Sequence, residues 1–256
     1  MGRFTGKVVL ITGGSQGIGL ETAIRFAQEG AYICITGRNL EKGEIAINKI
    51  NMNTNHAYFI QCDINIESEV INMIQQCIIY FGTIDIAFNN AGVTSEYALL
   101  PDSNTKLWHQ VINTNICGTY HCMKYELQAM EKNGGVIINN ASCVGLIPIP
   151  KQSAYVASKH AIIGLTKSVA IDYAEGDNNN AHIRINAIAP GPIEGGMNFN
   201  ADSKNIQRKK SFTAMNRLGK PEEVAKTVLW LSSDDASYIT GSIISIDGGM
   251  SAGKWS

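Results

Sequence analysis

Tyr155 and Lys159 stand four residues apart in Tyr155-Val156-Ala157-Ser158-Lys159, a spacing that on a helix turns a phenol and an ammonium toward one face. Such a pair can move a proton. A phenol has an ordinary pKa of about 10 and is a poor base near neutrality unless its ionised form is stabilised, and a neighbouring cation supplies that stabilisation. The pair by itself is common. Ser142 adds weight, because it follows the β-branched run Val136 to Asn140 at the carboxyl end of a strand, where open α/β sheets hold their ligands. Cys143 beside it reads as packing, since a nucleophilic thiol would need an electropositive neighbour and a base.

A second constellation is Thr12-Gly13-Gly14-Ser15-Gln16-Gly17-Ile18-Gly19, between a short apolar run and a helix-period segment. Glycines there let the backbone turn tightly and approach a pyrophosphate, whose charge meets unpaired N–H groups at the helix N-terminus. Strand, glycines and helix arrive in the order that dinucleotide binding needs, which separates this segment from an ordinary glycine-rich turn. About twenty residues on, a carboxylate would hold the ribose 2′-hydroxyl of NAD, but the chain reads Ile35-Thr36-Gly37-Arg38-Asn39. Arg38 suits the 2′-phosphate of NADP, with Ser15 as a second phosphate contact, so NADP is expected ahead of NAD. Gln16, being neutral, weakens the case for NADP, and the plain alternative is that Arg38 is a solvated residue opening the next helix.

These residues need a frame. Seven short, β-branched-rich runs qualify as buried strands: Lys7 to Thr12, Tyr32 to Thr36, Ala57 to Gln61, Ile84 to Asn89, Val136 to Asn140, Arg184 to Ala189 and Ile243 to Ile246. Between them, helical spacing covers Gly17 to Glu29, Leu40 to Ile50, Glu67 to Phe81, Thr105 to Glu131, Ala154 to Ala174 and Glu222 to Leu231. The alternation predicts an α/β fold with a seven-stranded parallel sheet and helices on both faces, built as one domain over residues 1–256. Asp177 to Asn180 reads as a polar loop. Residues 194–216 lack apolar periodicity and are expected to form a substrate lid.

At 256 residues with 45% hydrophobic and 17% charged residues, the chain can build a large core, and disorder is excluded as its main state. Its net charge of -1 provides no field toward nucleic acid or an anionic membrane. Val8 to Ile11 is far too short for a signal sequence or a membrane span, so a cytoplasmic protein is expected. The six cysteines form no C-x-x-C pair, and the five histidines share no ligand spacing, so no metal site is expected.

The joint order of the motifs resembles the short-chain dehydrogenase/reductase family, of the single-domain kind with an extended Rossmann fold, over nearly the whole chain. The matching elements are Thr12 to Gly19, Asp63, Asn89-Asn90-Ala91-Gly92, Asn115 in Asn-Ile-Cys-Gly, Ser142, Tyr155 with Lys159, Pro190-Gly191, and Thr240-Gly241 to Asp247-Gly248-Gly249. The resemblance implies that Tyr155 is the acid in carbonyl reduction and the base in alcohol oxidation. Lys159 would lower the phenol pKa and bind the nicotinamide ribose. It also implies that Ser142 holds the substrate oxygen and that Asn115, selected over Asn113 by its spacing to Gly118, holds a water joining Lys159 to a proton relay. Cofactor contacts are implied at Gly13, Ser15, Gln16, Gly17, Ile18, Gly19, Arg38, Asn89, Ala91, Gly92, Pro190, Gly191 and Ile193. Asp63 fits two roles, a cap for a helix beginning near Ile66 and a neighbour of the adenine together with the Ile64 backbone.

The sequence also departs from the family. Many relatives place a threonine after Pro-Gly, whereas this chain has Pro192-Ile193-Glu194-Gly195-Gly196-Met197, wording that also resembles the branch reducing dienoyl-CoA double bonds. Carbonyl/alcohol chemistry on a small molecule, including a 3-oxoacyl thioester or another ketone, stays ahead because serine, tyrosine and lysine are all present. An enoyl- or dienoyl-thioester reductase and a non-catalytic dinucleotide sensor are the alternatives. Leu146, Ile147, Ile149 and Met197 suggest a non-polar substrate portion, and Lys204, Arg208, Lys209 and Lys210 form either a phosphopantetheine-attracting patch or a solvated face. The resemblance further implies a homotetramer or homodimer assembled through the helices of Thr105 to Glu131 and Ala154 to Ala174.

Overall fold

The computed structural model describes residues 2–54, 56–176, 181–195 and 203–253. Seven strands, β1 (Val8–Thr12), β2 (Tyr32–Gly37), β3 (Ala57–Gln61), β4 (Ile86–Asn89), β5 (Gly135–Asn140), β6 (Ile183–Pro190) and β7 (Ile243–Ile246), form one sheet in the order β3-β2-β1-β4-β5-β6-β7. Every pairing is parallel, so each connection crosses over a face of the sheet. Helices α1 (Gly17–Gln28), α2 (Leu40–Ile50), α3 (Glu67–Phe81), α4 (Thr105–Ile112), α5 (Gly118–Met130), α6 (Ser153–Asp172), α7 (Ser203–Lys210) and α8 (Pro221–Ser232) lie along these connections.

Alternation along the strands divides the core. Val9 and Ile11 of β1 pack with Phe26 of α1 and Val228 of α8 on one face, while Val8 and Leu10 pack with Met73 of α3 and Cys122 of α5 on the other. Burying one such side chain contributes about 1.5–3 kcal/mol, so a one-residue slip of β1 would misplace both sets. Strand order reverses between β1 and β4. The crevice above their carboxyl ends is therefore bounded by the turn after β1 and the turn after β4, with those after β5 and β6 extending it.

Three differences from the expected elements have physical causes. The helix expected over Thr105 to Glu131 is divided into α4 and α5 by a π turn, Asn113–Cys117, because one wide turn barely disturbs apolar periodicity. β4 starts at Ile86, not Ile84: the Asp85 backbone still pairs with Val8 and Val136, both at 3.0 Å, but its carboxylate accepts the Val8 N–H at 2.8 Å, the donor that an extension of the ladder past Asp85 would use. Residues 203–210 form α7 within the stretch read as aperiodic, since Ile206 is its single apolar residue. The loop at 177–180, Met197 and the middle of the expected lid lie outside the described residues.

Candidate active site

The turn after β1 is shaped for close approach. Gly13 and Gly17 have φ of +64° and +56°, a region that side chains disfavour, and a Cβ on Gly19 would stand 2.5 Å from the Gly13 carbonyl oxygen. α1 begins after Gln16 with no side-chain cap and no acid in its first turn, so its N-terminal N–H groups and positive dipole end suit a diphosphate. Ile18 points inward and packs against the core. Ser15 Oγ lies close to Gly37, 3.7 Å from where a Cβ would be, which puts the hydroxyl next to the β2 terminus and Arg38. The Arg38 side chain is exposed and free of hydrogen bonds and ion pairs among the described residues, while its carbonyl accepts from Gln61 Nε2 at 2.9 Å.

Thr12 Oγ1 joins this turn to the loop after β4, accepting the N–H groups of Asn90 and Ala91, both at 3.0 Å. Asn90 Nδ2 returns the contact, donating to the carbonyls of Thr12 and Gly13 at 3.0 and 3.1 Å. Its Oδ1 accepts from Asn140 Nδ2 at 3.0 Å. The contacts expected from the sequence include neither Asn90 nor Asn140. The signal is their position, each one residue past or at a strand end and on the same side of the sheet. Asn89, expected at the cofactor, turns its side chain the other way, toward Glu126 and Asn139, because consecutive strand residues face opposite sides.

Asp63 does not cap α3, whose N-cap is Ile66 without a side-chain bond. Its Oδ1 instead accepts from the Asn65 backbone and side chain at 3.0 and 2.7 Å, which holds the loop after β3. Ile64 is buried over Gly118, where a Cβ would come within 2.6 Å of it, and its carbonyl pairs with His121 Nδ1 at 3.1 Å.

The residues expected to handle the proton converge from β5 and α6. Ser142 Oγ donates to the Pro190 carbonyl at the end of β6 at 3.4 Å and accepts the Val144 N–H at 3.4 Å, and its hydroxyl is near enough to the Tyr155 phenol to act on its ionisation. Gly145 docks this turn on α6: a Cβ there would lie 2.7 Å from the Lys159 carbonyl oxygen. Lys159 is buried, with its Nζ donating to the Asn140 carbonyl at 2.7 Å and lying 5.7 Å from the Tyr155 ring centroid. Burial pushes the Tyr155 phenol up to about 12, partly offset by the neighbouring Ser142 hydroxyl. Burial also pulls the Lys159 ammonium down to about 8. The expected lowering of the phenol by lysine is thus not present in this arrangement. Desolvation outweighs an ammonium committed to a backbone carbonyl.

Asn115 lies in the π turn. Its Nδ2 donates to the Val93 carbonyl and to Ser158 Oγ at 2.9 and 3.0 Å, and its Oδ1 accepts the Val93 N–H at 2.8 Å. Both amide donors are therefore spent tying the β4 loop to α6, leaving one oxygen lone pair for a relay water. Gly92 sits between: a Cβ would be 3.2 Å from Asn115 Oδ1 and 3.7 Å from Lys159 Nζ.

Beside Tyr155 the wall is apolar, with Cys143, Val144 and Met250 buried and Ile147, Ile149, Val156 and Phe212 packed on them. Burial pushes the Cys143 thiol up to about 11, and its Sγ rests 3.5 Å from Met250 Sδ, in keeping with packing. Gly191 donates its N–H to Ile246 at 3.0 Å, and Ile193 bridges to Gly219. Arg208 of α7 lies over the rings of Tyr97 and Phe212, 5.1 and 5.7 Å from their centroids. Among the described residues no group of three or more His, Cys, Asp or Glu is placed to hold a metal ion, and no helix is long and apolar enough to cross a membrane.

A family model described as enoyl-(acyl carrier protein) reductase matches residues 13–251. The chain belongs to the short-chain dehydrogenase/reductase family. Similar proteins include a 3beta-hydroxysteroid dehydrogenase of Mediterraneibacter gnavus, 34% identical over 98% of this chain and 96% of that protein. A 3-oxoacyl-[acyl-carrier-protein] reductase of Chlamydia trachomatis is 39% identical over 97% of this chain and 99% of its own length. The crystal structure of a levodione reductase superposes with a TM-score of 0.91 at 33% identity, covering 98% of this chain and 100% of that one. This short-chain dehydrogenase/reductase thus has the seven-stranded Rossmann-type architecture of its relatives and is an oxidoreductase working with a nicotinamide dinucleotide.

Proposed function

We propose that this short-chain dehydrogenase/reductase interconverts an apolar ketone and its secondary alcohol, with NADP preferred to NAD. The observation that carries this reading is the meeting of Ser142, Tyr155 and Lys159 against an apolar wall. The bound dinucleotide supplies or accepts the hydride. Ser142 holds the carbonyl oxygen and Tyr155 donates its phenolic proton to it during reduction, while the Lys159 charge offsets the phenolate left behind. A phenol held near 12 keeps its proton throughout the neutral range, which suits the reductive direction. Asp63, Ile64, Ala91, Gly92, Pro190, Gly191 and Ile193 line the approach to the dinucleotide, and exposed Arg38 beside Ser15 is the reason for naming NADP. Residues 194–216 cover the substrate, within a single domain spanning 1–256.

The wall formed by Ile147, Ile149 and Phe212 favours a hydrocarbon-rich substrate, and the Mediterraneibacter relative is named for a steroid. Arg208, committed to two aromatic rings, is less available to a phosphopantetheine arm than its sequence neighbours suggest. Exposed Leu107 and Tyr120 on α4 and α5, with Ile171 on α6, support a homo-oligomer through these helices. Six free thiols, five of them buried, fit a reducing cytoplasm.

The test is NADPH and NADH consumption with purified protein against cyclic ketones, 3-oxoacyl thioesters and enoyl thioesters. Turnover of cyclic ketones with NADPH is expected. Turnover confined to enoyl thioesters, or to NADH, would overturn the reading.

A further inference from the structure

Directly beneath the catalytic crevice lies a second polar layer. Asn89 and Asn139 are register partners on β4 and β5, and Asn89 Nδ2 donates to Asn139 Oδ1 at 3.1 Å and to Glu126 Oε2 of α5 at 2.8 Å. Asn139 Nδ2 continues to Thr166 Oγ1 of α6 at 2.9 Å. Glu126 is wholly buried. Two oxygens of this layer have no partner among the described residues, Glu126 Oε1 and Asn89 Oδ1, and they belong to the two side chains already joined. An ionised carboxylate would leave both as acceptors without a donor, a costly arrangement away from water. A carboxylic acid carrying its proton on Oε1 would satisfy both at once.

We propose that Glu126 is a neutral carboxylic acid in the native protein, closing a cyclic acid–amide pair with Asn89 in which Oε1–H donates to Asn89 Oδ1. Glu126 is then a positioning residue. Its pair fixes the end of β4, one residue before Asn90 grips the Thr12–Gly13 turn and three before Gly92 passes Lys159 Nζ. The surroundings agree. β4 presents Asn89, β5 presents Asn139, α6 presents Thr166, and the titratable group on α5 that interacts with Glu126 is the buried Cys122 thiol, itself pushed up and neutral. The charged pair nearby, Lys124 of α5 with Glu67 of α3, is on the half-exposed outer side. Burial pushes Glu126 up to about 7, the Asn89 bond offsetting part, whereas Glu29, Glu67, Glu222 and Glu223 are all pushed down.

A folded-state pKa raised from the usual 4.5 to about 7 contributes stability that is complete below the lower value and declines as pH rises toward the upper one. In the variant Glu126→Gln an amide N–H stands where the acid proton would be, and nothing at the position titrates. The urea midpoint of wild type relative to Glu126→Gln is expected to fall between about pH 5 and about pH 7.5, with NADPH affinity of the variant within about two-fold of wild type and that of Glu126→Leu several-fold weaker. Infrared spectra of wild type with carbon-13 glutamate at about pH 6 should show a protonated-carboxyl band that shifts with the label. Parallel pH profiles for wild type and Glu126→Gln, failure of Glu126→Gln to fold, or absence of the labelled band would each overturn the proposal. None of these readouts depends on the substrate.

Discussion

At the scale of the residue, reactivity is set by burial as much as by neighbours. The proposed reduction needs a protonated Tyr155, available up to about 12, and a charged Lys159, available up to about 8. The rate of carbonyl reduction, as kcat/KM, is therefore expected to be level through neutrality and to fall above about pH 8 as the ammonium loses its proton; a level profile to about pH 10 would contradict this. Ser142→Ala removes the hydroxyl beside the phenol and, on the proposed reading, the hydrogen bond to the substrate oxygen, and kcat should drop about 100-fold or more with cofactor affinity retained. The i, i+4 spacing of Tyr155 and Lys159 and the place of Ser142 after a strand were legible in the sequence. The direction of the Tyr155 shift was not, because desolvation depends on the tertiary wall around the phenol, and no local pattern encodes that wall.

At the scale of the element, glycines decide how closely loops meet helices. A Cβ at residue 145 would strike the Lys159 carbonyl at 2.7 Å, a backbone atom that cannot swing aside. Gly145→Val should therefore separate Ser142 from Tyr155 and lower kcat at least about ten-fold, with NADPH affinity, measured by fluorescence titration, nearly unchanged. Equal kcat in the variant would show that the turn does not dock the serine. Strand and helix positions followed from apolar period and punctuation, and the Thr12 to Gly19 turn from its glycines. The π turn at Asn113–Cys117 escaped, because a single added residue leaves the periodicity of α4 and α5 intact on either side. α7 escaped because seven of its eight residues are polar or charged, so no buried face announced it. The inward turn of Asn89 and the cleft-facing turn of Asn90 and Asn140 required strand register, which becomes visible only once β4 and β5 are paired.

At the scale of the whole molecule, one parallel sheet holds two functions in register. Its middle strands are bulky and dry, and Phe88 of β4 is fully buried immediately before the Asn89–Gly92 segment. Phe88→Ala should cost about 3–5 kcal/mol of unfolding free energy by urea titration, and a loss below about 1 kcal/mol would mean that β4 is not held by this packing. On the proposed reading cofactor choice belongs to the carboxyl end of β2: Arg38→Ala should weaken NADPH far more than NADH, and equal weakening would remove the phosphate assignment. Ketone reduction requires the glycine turn after β1 and the phenol on α6 to serve one crevice while remaining separable. The most direct measurement is therefore made on one sample of Tyr155→Phe, with NADPH-dependent ketone reduction and NADPH binding both determined. Reduction is expected to fall about 100-fold to 10,000-fold with the NADPH dissociation constant within about two-fold of wild type, whereas undiminished turnover, or loss of cofactor binding in parallel with turnover, would contradict the assignment of Tyr155 as the proton donor.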